Sequence, residues 1–262
     1  MKNIYLIVAK QVVEEAATII REARDTNAFG YAFKDDGTPV SHIDRQVQDY
    51  MTNRLVKSFD IPVLGEENCV AVDRDGPYWS IDPIDGTWAF ITHENTSAVN
   101  LSLIENGRPT VAIVCNPFTR ELFYTEKGIP SYIGMVQMPL RKPRGVEVVN
   151  FKPEYDIPIL PAIERMYHQK ALKKMVSIGG SIAYSLCMVA KGAFSHYICH
   201  FRSPANPWDL SAASLILENA GGCLTDLEGR PIDPMSHQGY IVASADERCK
   251  EKFLRHFPRD LE

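Results

Sequence analysis

Nowhere in these 262 residues do cysteines pair as C-x-x-C; the six present stand apart, at Cys69, Cys115, Cys187, Cys199, Cys223 and Cys249. That scatter gives no support to a disulfide framework or a zinc site, so reduced core thiols are expected. Long apolar runs are lacking too. None approaches the roughly 20 residues that span a bilayer. The short run Ile4–Ala9 meets Lys10, Glu14 and Glu15 at once and has no leader-like cleavage site. A cytoplasmic protein without a membrane partner is the expectation. Basic charge is also short: 28 Lys and Arg against 33 Asp and Glu leave −5. This argues against a nucleic-acid polymer, whose phosphates demand clustered cations. A small anionic substrate would need a local remedy for that acidity, such as a metal ion. Repeats and low-complexity tracts are missing as well. With 45% hydrophobic and 23% charged residues, general disorder is excluded.

What is present reads as mixed helices and strands. Ile4, Val8, Val12, Val13, Ala16, Ile19 and Ile20 recur at helical spacing, predicting an amphipathic helix that ends before Asn27–Gly30. A polar loop, Lys34-Asp35-Asp36-Gly37, follows. Ile43, Val47, Tyr50, Met51 and Leu55 mark a second helix, and Ser41 three positions before Asp44 suits a capping box. Tyr78–Ile81 reads as a strand that Pro83 should end, since proline donates no ladder bond. Val99, Leu101 and Leu103 alternate with polar residues, Asn106-Gly107 turns the chain, and Thr110–Cys115 returns. Glu121–Thr125 adds a further strand.

Five prolines between Met138 and Pro161 predict an irregular connection. It divides an N-terminal α+β half, 1–140, from a C-terminal α/β half, 141–262, with the site expected between them. Beyond it the pattern predicts a strand at Val176–Ile178 and a helix from Gly179-Gly180-Ser181 to Lys191, stopped by Gly192. A strand at Phe194–Cys199, a helix after Trp208-Asp209 closed by Gly221-Gly222, and a last strand around Val242 complete it. The expected class is a layered α/β (α+β) sandwich.

The segment Trp79-Ser80-Ile81-Asp82-Pro83-Ile84-Asp85-Gly86-Thr87 carries the most chemistry. It sets two carboxylates at a strand end, where Pro83 stiffens the turn and Gly86 admits close approach to the backbone. Carboxylates so close repel unless protons or cations intervene. Hard divalent cations prefer oxygen donors, and Mg²⁺ takes one or two carboxylates plus substrate phosphate oxygens. Glu66 and Glu67 after Gly65, and Asp209 far downstream, add acids. Four acids from three segments are enough for two or three metals, Thr87 is placed to orient a water, and amides after Gly86 can meet a phosphate. Each acid also has a plainer reading. Asp82 and Asp85 suit a turn, Asp209 an N-cap, Asp44 a capping box, and Glu66 and Glu67 a solvated loop. Spacing alone cannot join these segments in space.

At these residues the sequence resembles the inositol monophosphatase superfamily of lithium-sensitive, Mg²⁺-dependent phosphatases. Three motifs carry the resemblance over nearly the whole chain. They are Gly65-Glu66-Glu67, Asp82-Pro83-Ile84-Asp85-Gly86-Thr87, and Pro207-Trp208-Asp209-Leu210-Ser211-Ala212-Ala213 with Glu218-Asn219-Ala220-Gly221-Gly222. The resemblance implies a five-layer αβαβα sandwich, commonly a homodimer, that hydrolyses a small phosphorylated substrate. It implies in-line attack by a metal-activated water, without a phosphoenzyme. Metal ligands would be Glu66, Asp82, Asp85, Asp209 and the main-chain carbonyl of Ile84. Glu66 and Thr87 would orient or activate the water, with Asp44 as partner of the threonine. Lys34 falls in a loop that helps organise metal binding in relatives, and Gly180, Ser181 and Ile182 align with a substrate-contacting segment.

Two departures bear on the substrate. Where inositol monophosphatases continue Gly-Thr-Thr-Asn-Phe, this chain has Gly86-Thr87-Trp88-Ala89-Phe90. Seven positions before Asp209, where they often carry a hydroxyl-binding Glu, stands Arg202. Arginine accepts no hydrogen bond and favours anions, which suggests a second anionic group on the substrate, with a surface ion pair as the plainer reading. Arg202-Ser203-Pro204 and Val99-Asn100-Leu101-Ser102-Leu103-Ile104 also look like bisphosphate nucleotidase segments. Histidines 93, 196 and 200 are expected to be structural or exposed, and Trp79, Trp88 and Trp208 to pack around the site, with ligand stacking the alternative for Trp88. Two competing functions remain: a covalent aspartyl-phosphate on Asp82 or Asp85, and a non-catalytic metabolite-binding member.

Overall fold

The first helix, α1 (Ile4–Asp25), and the second, α2 (His42–Ser58), each turn one apolar stripe inward. Between them β1 (Tyr31–Phe33) and β2 (Pro39–Ser41) pair as an antiparallel hairpin around the Lys34 loop. The computed structural model describes residues 4–35, 37–67, 71–152 and 159–257. Asp36, Cys69, Pro153 and Pro158 of the sequence reading lie outside them.

A seven-stranded sheet follows in spatial order β3 (Val63–Gly65), β4 (Tyr78–Asp85), β5 (Ala98–Glu105), β6 (Arg108–Cys115), β7 (Leu122–Glu126), β8 (Tyr132–Ile133), β9 (Val136–Gln137). A short helix, α3 (Thr87–Ile91), lies between β4 and β5. The second sheet uses β10 (Val148–Phe151), β11 (Lys174–Val176), β12 (His196–Phe201), β13 (Cys223–Thr225) and β14 (Gly239–Ser244) in the order β11-β10-β12-β14-β13. Its helices are α4 (Leu160–His168), α5 (Ile182–Lys191), α6 (Pro207–Asn219) and α7 (Glu247–His256).

Side-chain burial orders these elements into five layers. Val12, Val13, Ala16 and Ile20 of α1 and Val47, Met51 and Leu55 of α2 pack on Ile81, Leu101, Leu103 and Ile113 of the large sheet. Its opposite face offers Ala98, Ala112, Val114 and Phe123 to Leu186, Val189, Leu210, Ala213 and Leu217 of α5 and α6. Those two helices also cover Tyr197, Cys199, Ile241 and Ala243 of the small sheet. Ile163 and Met166 of α4 and Phe253 of α7 close the far side over Val149, Ile198 and Val242. This is the expected αβαβα sandwich. Each fully buried leucine contributes about 1.5–3 kcal/mol by leaving water, and truncating Leu101 to Ala would cost about 2–5 kcal/mol with its cavity.

Several sequence expectations need correction. β4 does not stop at Pro83; it runs to Asp85, with the register to β5 shifting between Asp82 and Asp85. Proline is tolerated at such a bulge because the ladder bond it lacks is not required there. The connection from Met138 is not wholly irregular. The apolar pair Val148-Val149 starts β10, a parallel neighbour of both β11 and β12. The polar alternates of β5, on which the sequence reading is silent, are covered. Asn100 and Ser102 are each 1% exposed beneath α6, where Ser102 Oγ and Ser211 Oγ lie 2.7 Å apart. β11 and β12 sit two residues away from their expected limits, and the β1–β2 hairpin, α4 and α7 are further findings of the structure.

Among the described residues no disulfide joins Cys115, Cys187, Cys199, Cys223 or Cys249. Among the described residues no helix is long and apolar enough to cross a membrane.

Candidate active site

The bulge at the end of β4 presents Asp82 and Asp85 toward the N-termini of α5 and α6. Asp82 is 2% exposed. Gly86 then turns the chain in the left-handed region, φ +82°, into α3. A Cβ there would stand 2.7 Å from Ser181 N and 2.8 Å from the Gly180 carbonyl carbon. The space in front of Gly86 is thus filled by backbone of the C-terminal half.

Asp85 is held by that same backbone. Its Oδ2 accepts from Ser181 Oγ at 2.5 Å and from Ala183 N at 2.9 Å. Ile182 N approaches Oδ1 at 3.4 Å, and Asn100 Nδ2 approaches Oδ2 at 3.4 Å. The first-turn amides of α5 have no partner within their own helix, and a carboxylate is the group they favour. Asn100 Nδ2 also lies 3.4 Å from the Trp208 carbonyl, joining β5 to α6.

On the other side, Thr87 Oγ1 stands 3.1 Å from both Asp44 Oδ1 and the Ile84 carbonyl. The other oxygen of Asp44 accepts from Ser41 N at 2.8 Å and Ser41 Oγ at 2.6 Å, completing the capping box of α2. Asp44 is therefore both a cap and the partner of Thr87. Asp209 likewise accepts from Asn206 N at 2.7 Å, so it belongs to a capping box of α6 with Asn206, not itself, at the N-cap. Lys34 Nζ donates to Glu66 Oε1 at 2.7 Å and Glu67 Oε1 at 2.8 Å. Glu67 N donates to Gln48 Oε1 at 2.8 Å, and the absence of a side chain at Gly65 makes room for Gln48.

The electrostatics follow from burial. Asp82 is pushed well above the usual carboxylate range by loss of water, then by Glu66, Asp85, Asp209 and Asp44. Asp209 is raised to about 7 by burial, reinforced by Asp85 and Glu66 and opposed by Asn206. Asp44 rises to about 6, again through burial, against the two Ser41 bonds. Glu66 is raised by burial, with Lys34 opposing. For Lys34 burial alone would lower the value, but Glu66 and Glu67 outweigh it and the ammonium is held charged.

Asp82 Oδ1 and Asn100 Oδ1 are buried without a hydrogen-bond partner. A buried carboxylate oxygen lacking a donor is costly unless a cation or proton reaches it. With only oxygen donors around it, the set fits a hard divalent cation and not a thiophilic one. The acids act on one another electrically, yet among the described residues no three His, Cys, Asp or Glu side chains converge closely enough to enclose an ion in this conformation. Glu66 is turned to the Lys34 ammonium instead.

The sequence matches the family description "Inositol monophosphatase family" across residues 2–262. The chain belongs to the inositol monophosphatase family. Among its curated relatives is the 3'(2'),5'-bisphosphate nucleotidase CysQ of Salmonella typhimurium, 28% identical over 88% of this chain and 94% of that protein. Another is the inositol-1-monophosphatase of Bacillus subtilis, 25% identical over 90% and 91%. The Nus factor SuhB of Pasteurella multocida is 27% identical over 88% and 90%. Of solved structures, the extragenic suppressor protein suhB of Bartonella henselae superposes with a TM-score of 0.85 at 22% identity, covering 98% of this chain and 99% of that one. That likeness is one of fold.

Within this family member, the remaining residues singled out in the sequence fall in different places. Gly180 adopts φ +66° against Thr96, and its carbonyl accepts from Lys152 Nζ at 3.2 Å. Ser181 spends its hydroxyl on Asp85 and on capping α5. Arg202 is exposed on the loop from β12 to α6, where its carbonyl accepts from Gln238 at 2.8 Å. Trp79 and Trp208 are buried, but Trp88 is 52% exposed and does not pack inward. His196 is buried between Ser195 and the Cys249 carbonyl, while His93 and His200 lie against Phe29 and Tyr240.

Sequence reasoning gave Asn100 and Gln48 no part in the site, whereas the expected Ser41–Asp44 capping box is present and anchors Asp44.

Proposed function

We propose that this chain is a Mg²⁺-dependent phosphomonoesterase acting on a small phosphorylated metabolite. One observation carries the reading: Asp82 is buried with an unpartnered oxygen and feels the charge of Glu66, Asp85, Asp209 and Asp44, the last of which is also the partner of Thr87. Such a cluster is suited to neutralising a phosphate through shared cations. Glu66, Asp82, Asp85, Asp209 and the Ile84 carbonyl would hold Mg²⁺, which when bound supplies Lewis-acid charge to the phosphoryl oxygens and to the attacking water.

The chain's own groups do the rest. Asp44 is fixed by Ser41, so its other oxygen is set to accept the Thr87 hydrogen bond, as the Ile84 carbonyl can, each 3.1 Å from the hydroxyl. Either way a Thr87 lone pair is left to receive a hydrogen bond from water and aim it at phosphorus. Asp44, raised to about 6, is matched to share a proton near neutral pH. Asp85 stays in place because α5 holds it from behind.

A finer reading is a 3'(2'),5'-bisphosphate nucleotidase. It is supported by Arg202, a cation in place of a hydroxyl-binding acid, and by the activity in the name of the Salmonella typhimurium relative. The test is phosphate release by the purified protein, with Mg²⁺, from inositol phosphate, adenosine 3',5'-bisphosphate, fructose bisphosphate and histidinol phosphate. Release from none of them, alongside measurable ligand binding, would overturn the enzyme reading in favour of a non-catalytic member. Arg202→Glu should lose the bisphosphates selectively if Arg202 reads a second phosphate.

A further inference from the structure

A hollow of about 440 Å³ opens at the opposite end of the small sheet from the acid cluster. Its rim is basic. Arg144 comes from the approach to β10, Lys170 and Lys173 from the link between α4 and β11, and Lys252 and His256 from α7. β10 and β11 run parallel and begin here, where Lys174 N donates to the Glu147 carbonyl at 2.9 Å. Beyond their far ends Lys152 reaches the Gly180 carbonyl and α5 grips Asp85. The length of the strands therefore separates this hollow from the site already described. Lys170 and Lys173 also line a neighbouring hollow of about 450 Å³, together with Tyr167 and His168.

The charge gathered here has no internal answer. Glu147 is the single acid on the lining, and it is already committed. Its Oε2 accepts from Arg141 and its Oε1 from Arg144 N at 2.9 Å, with Lys173 Nζ at 4.0 Å. Among the described residues Arg144, Lys170 and Lys252 have no carboxylate partner. Basic residues do suit the C-terminal ends of α4 and α7, but each helix end carries only about half a negative charge. With Arg141 balancing Glu147, the cations of Arg144, Lys170, Lys173 and Lys252 exceed that by roughly three charges. They do so on a chain whose net charge is −5.

Two of these cations are fixed in place. Lys252 Nζ crosses Gly145 and donates to the Arg144 carbonyl at 3.0 Å, and a Cβ on Gly145 would stand 3.3 Å from it. Lys170 sits at φ +58°, where a glycine or asparagine ordinarily ends a helix, with its amide on the Tyr167 carbonyl at 3.0 Å. A lysine there carries backbone strain that glycine would avoid. It brings to the hollow a charge that glycine would not.

We propose that this hollow binds a small polyanion, a molecule carrying two or more phosphate groups, at a site separate from the phosphatase centre. Converging ammonium and guanidinium donors hold phosphate oxygens through charge-assisted hydrogen bonds. Arg144 offers a forked donor, and the three lysines offer point charges. The concave shape selects a compact ligand over an extended one. None of these residues belongs to the acid cluster, so the site stands whether or not the chain is a phosphatase.

The probe is inorganic tripolyphosphate, titrated calorimetrically in metal-free buffer, where the acid cluster repels an anion. One saturable equivalent is expected, with affinity falling as salt is raised. Lys252→Ala and Lys170→Gly should each weaken it by about tenfold. Lys170→Gly should do so without lowering the unfolding midpoint, because glycine takes a positive φ freely. Lys127→Ala, on the exposed turn after β7, should leave the affinity unchanged. In the parent protein, tripolyphosphate should slow acetylation of Lys170, Lys173 and Lys252 but not of Lys127, as read by mass spectrometry.

No saturable binding, or no protection of those three lysines, overturns the proposal. Equal weakening by Lys127→Ala and Lys170→Gly does the same, since that pattern means an adventitious ion only. A single-stranded oligonucleotide that binds more tightly than tripolyphosphate, and is lost in the same two variants, would put a polymer in place of the small polyanion and overturn it too.

Discussion

The Ser181 hydroxyl donates to Asp85 Oδ2 at 2.5 Å, joining residues 96 apart in the chain. Ser181 Oγ also accepts from Tyr184 N at 2.8 Å, so the cap of α5 and the tether of the acid are one atom. Removing it leaves Asp85 with the Ala183 and Ile182 amides and the longer Asn100 contact. Ser181→Ala should therefore cost about 1–2 kcal/mol of stability, as cap losses do, and weaken Mg²⁺ activation. Denaturant unfolding and a Mg²⁺ titration of activity check the two effects. An unchanged Mg²⁺ requirement would show that Asp85 needs no support from α5.

The Thr87–Asp44 pair predicts a different pattern. Thr87→Val keeps the shape and removes the hydroxyl, so kcat should fall by about 10²–10⁴, the range of a lost proton-handling group. KM should move little, because the acids and not Thr87 take the phosphate. Thr87→Ser should retain most activity. Steady-state kinetics on the best substrate of the panel decides it, and an active Thr87→Val protein would remove Thr87 from the mechanism.

The buried acids predict how stability depends on pH without metal. Burial raises Asp44 to about 6 and Asp209 to about 7, above the ordinary value of 3.8. The folded chain thus holds their protons more tightly than the unfolded chain. Their contribution is complete below the unfolded value and is lost as pH rises through about 6 and about 7. In chelator, the unfolding temperature should fall across that window, and saturating Mg²⁺ should reverse the fall. Asp82→Asn, which removes the most enclosed charge, should raise the chelated midpoint and reduce the gain from Mg²⁺. Calorimetric scans with and without Mg²⁺ would show it; a Mg²⁺ gain as large in Asp82→Asn as in the parent would exclude Asp82 as a ligand.

His196 works in the opposite sense. Burial lowers it from 6.5 to about 4, against opposing contributions from the Cys249 carbonyl and Asp246. A carbonyl only accepts, so Nε2 carries the proton toward Cys249, 3.1 Å away, and Nδ1 faces Ser195 Oγ at 3.0 Å. The unfolded chain takes up a proton near 6.5 that the folded chain refuses until about 4. The His196 contribution should drop as pH falls through that interval, by up to about 3 kcal/mol at 1.36 kcal/mol per unit, offsetting part of the gain from Asp44 and Asp209. In His196→Phe this acid limb should flatten, as followed by urea midpoints across the range.

How much of this was legible depends on range. The α1 stripe, the Ser41–Asp44 capping box, the Gly192 stop of α5 and the order of the acid motifs were all visible, because each rests on neighbours within a turn or a strand. Pro83 misled because a bulge excuses a proline, and a bulge is set by the partner strand. The surroundings of Asn100 and Ser102, buried beneath α6, were not legible because alternation cannot say whether a second helix covers the polar side.

Left to itself, the chain's order of residues determined α1, α2, α5 and α6, the oxygen-rich donor set and the family pattern, since propensity, capping and local spacing are written into neighbouring residues. Only the folded packing decided that Asp85 is gripped by α5, that Lys34 is turned onto Glu66, and that Trp88 faces water beside Phe33. Those contacts span tens of residues, and their partners are chosen by how five layers stack, a balance of buried surface against charge that no local window contains.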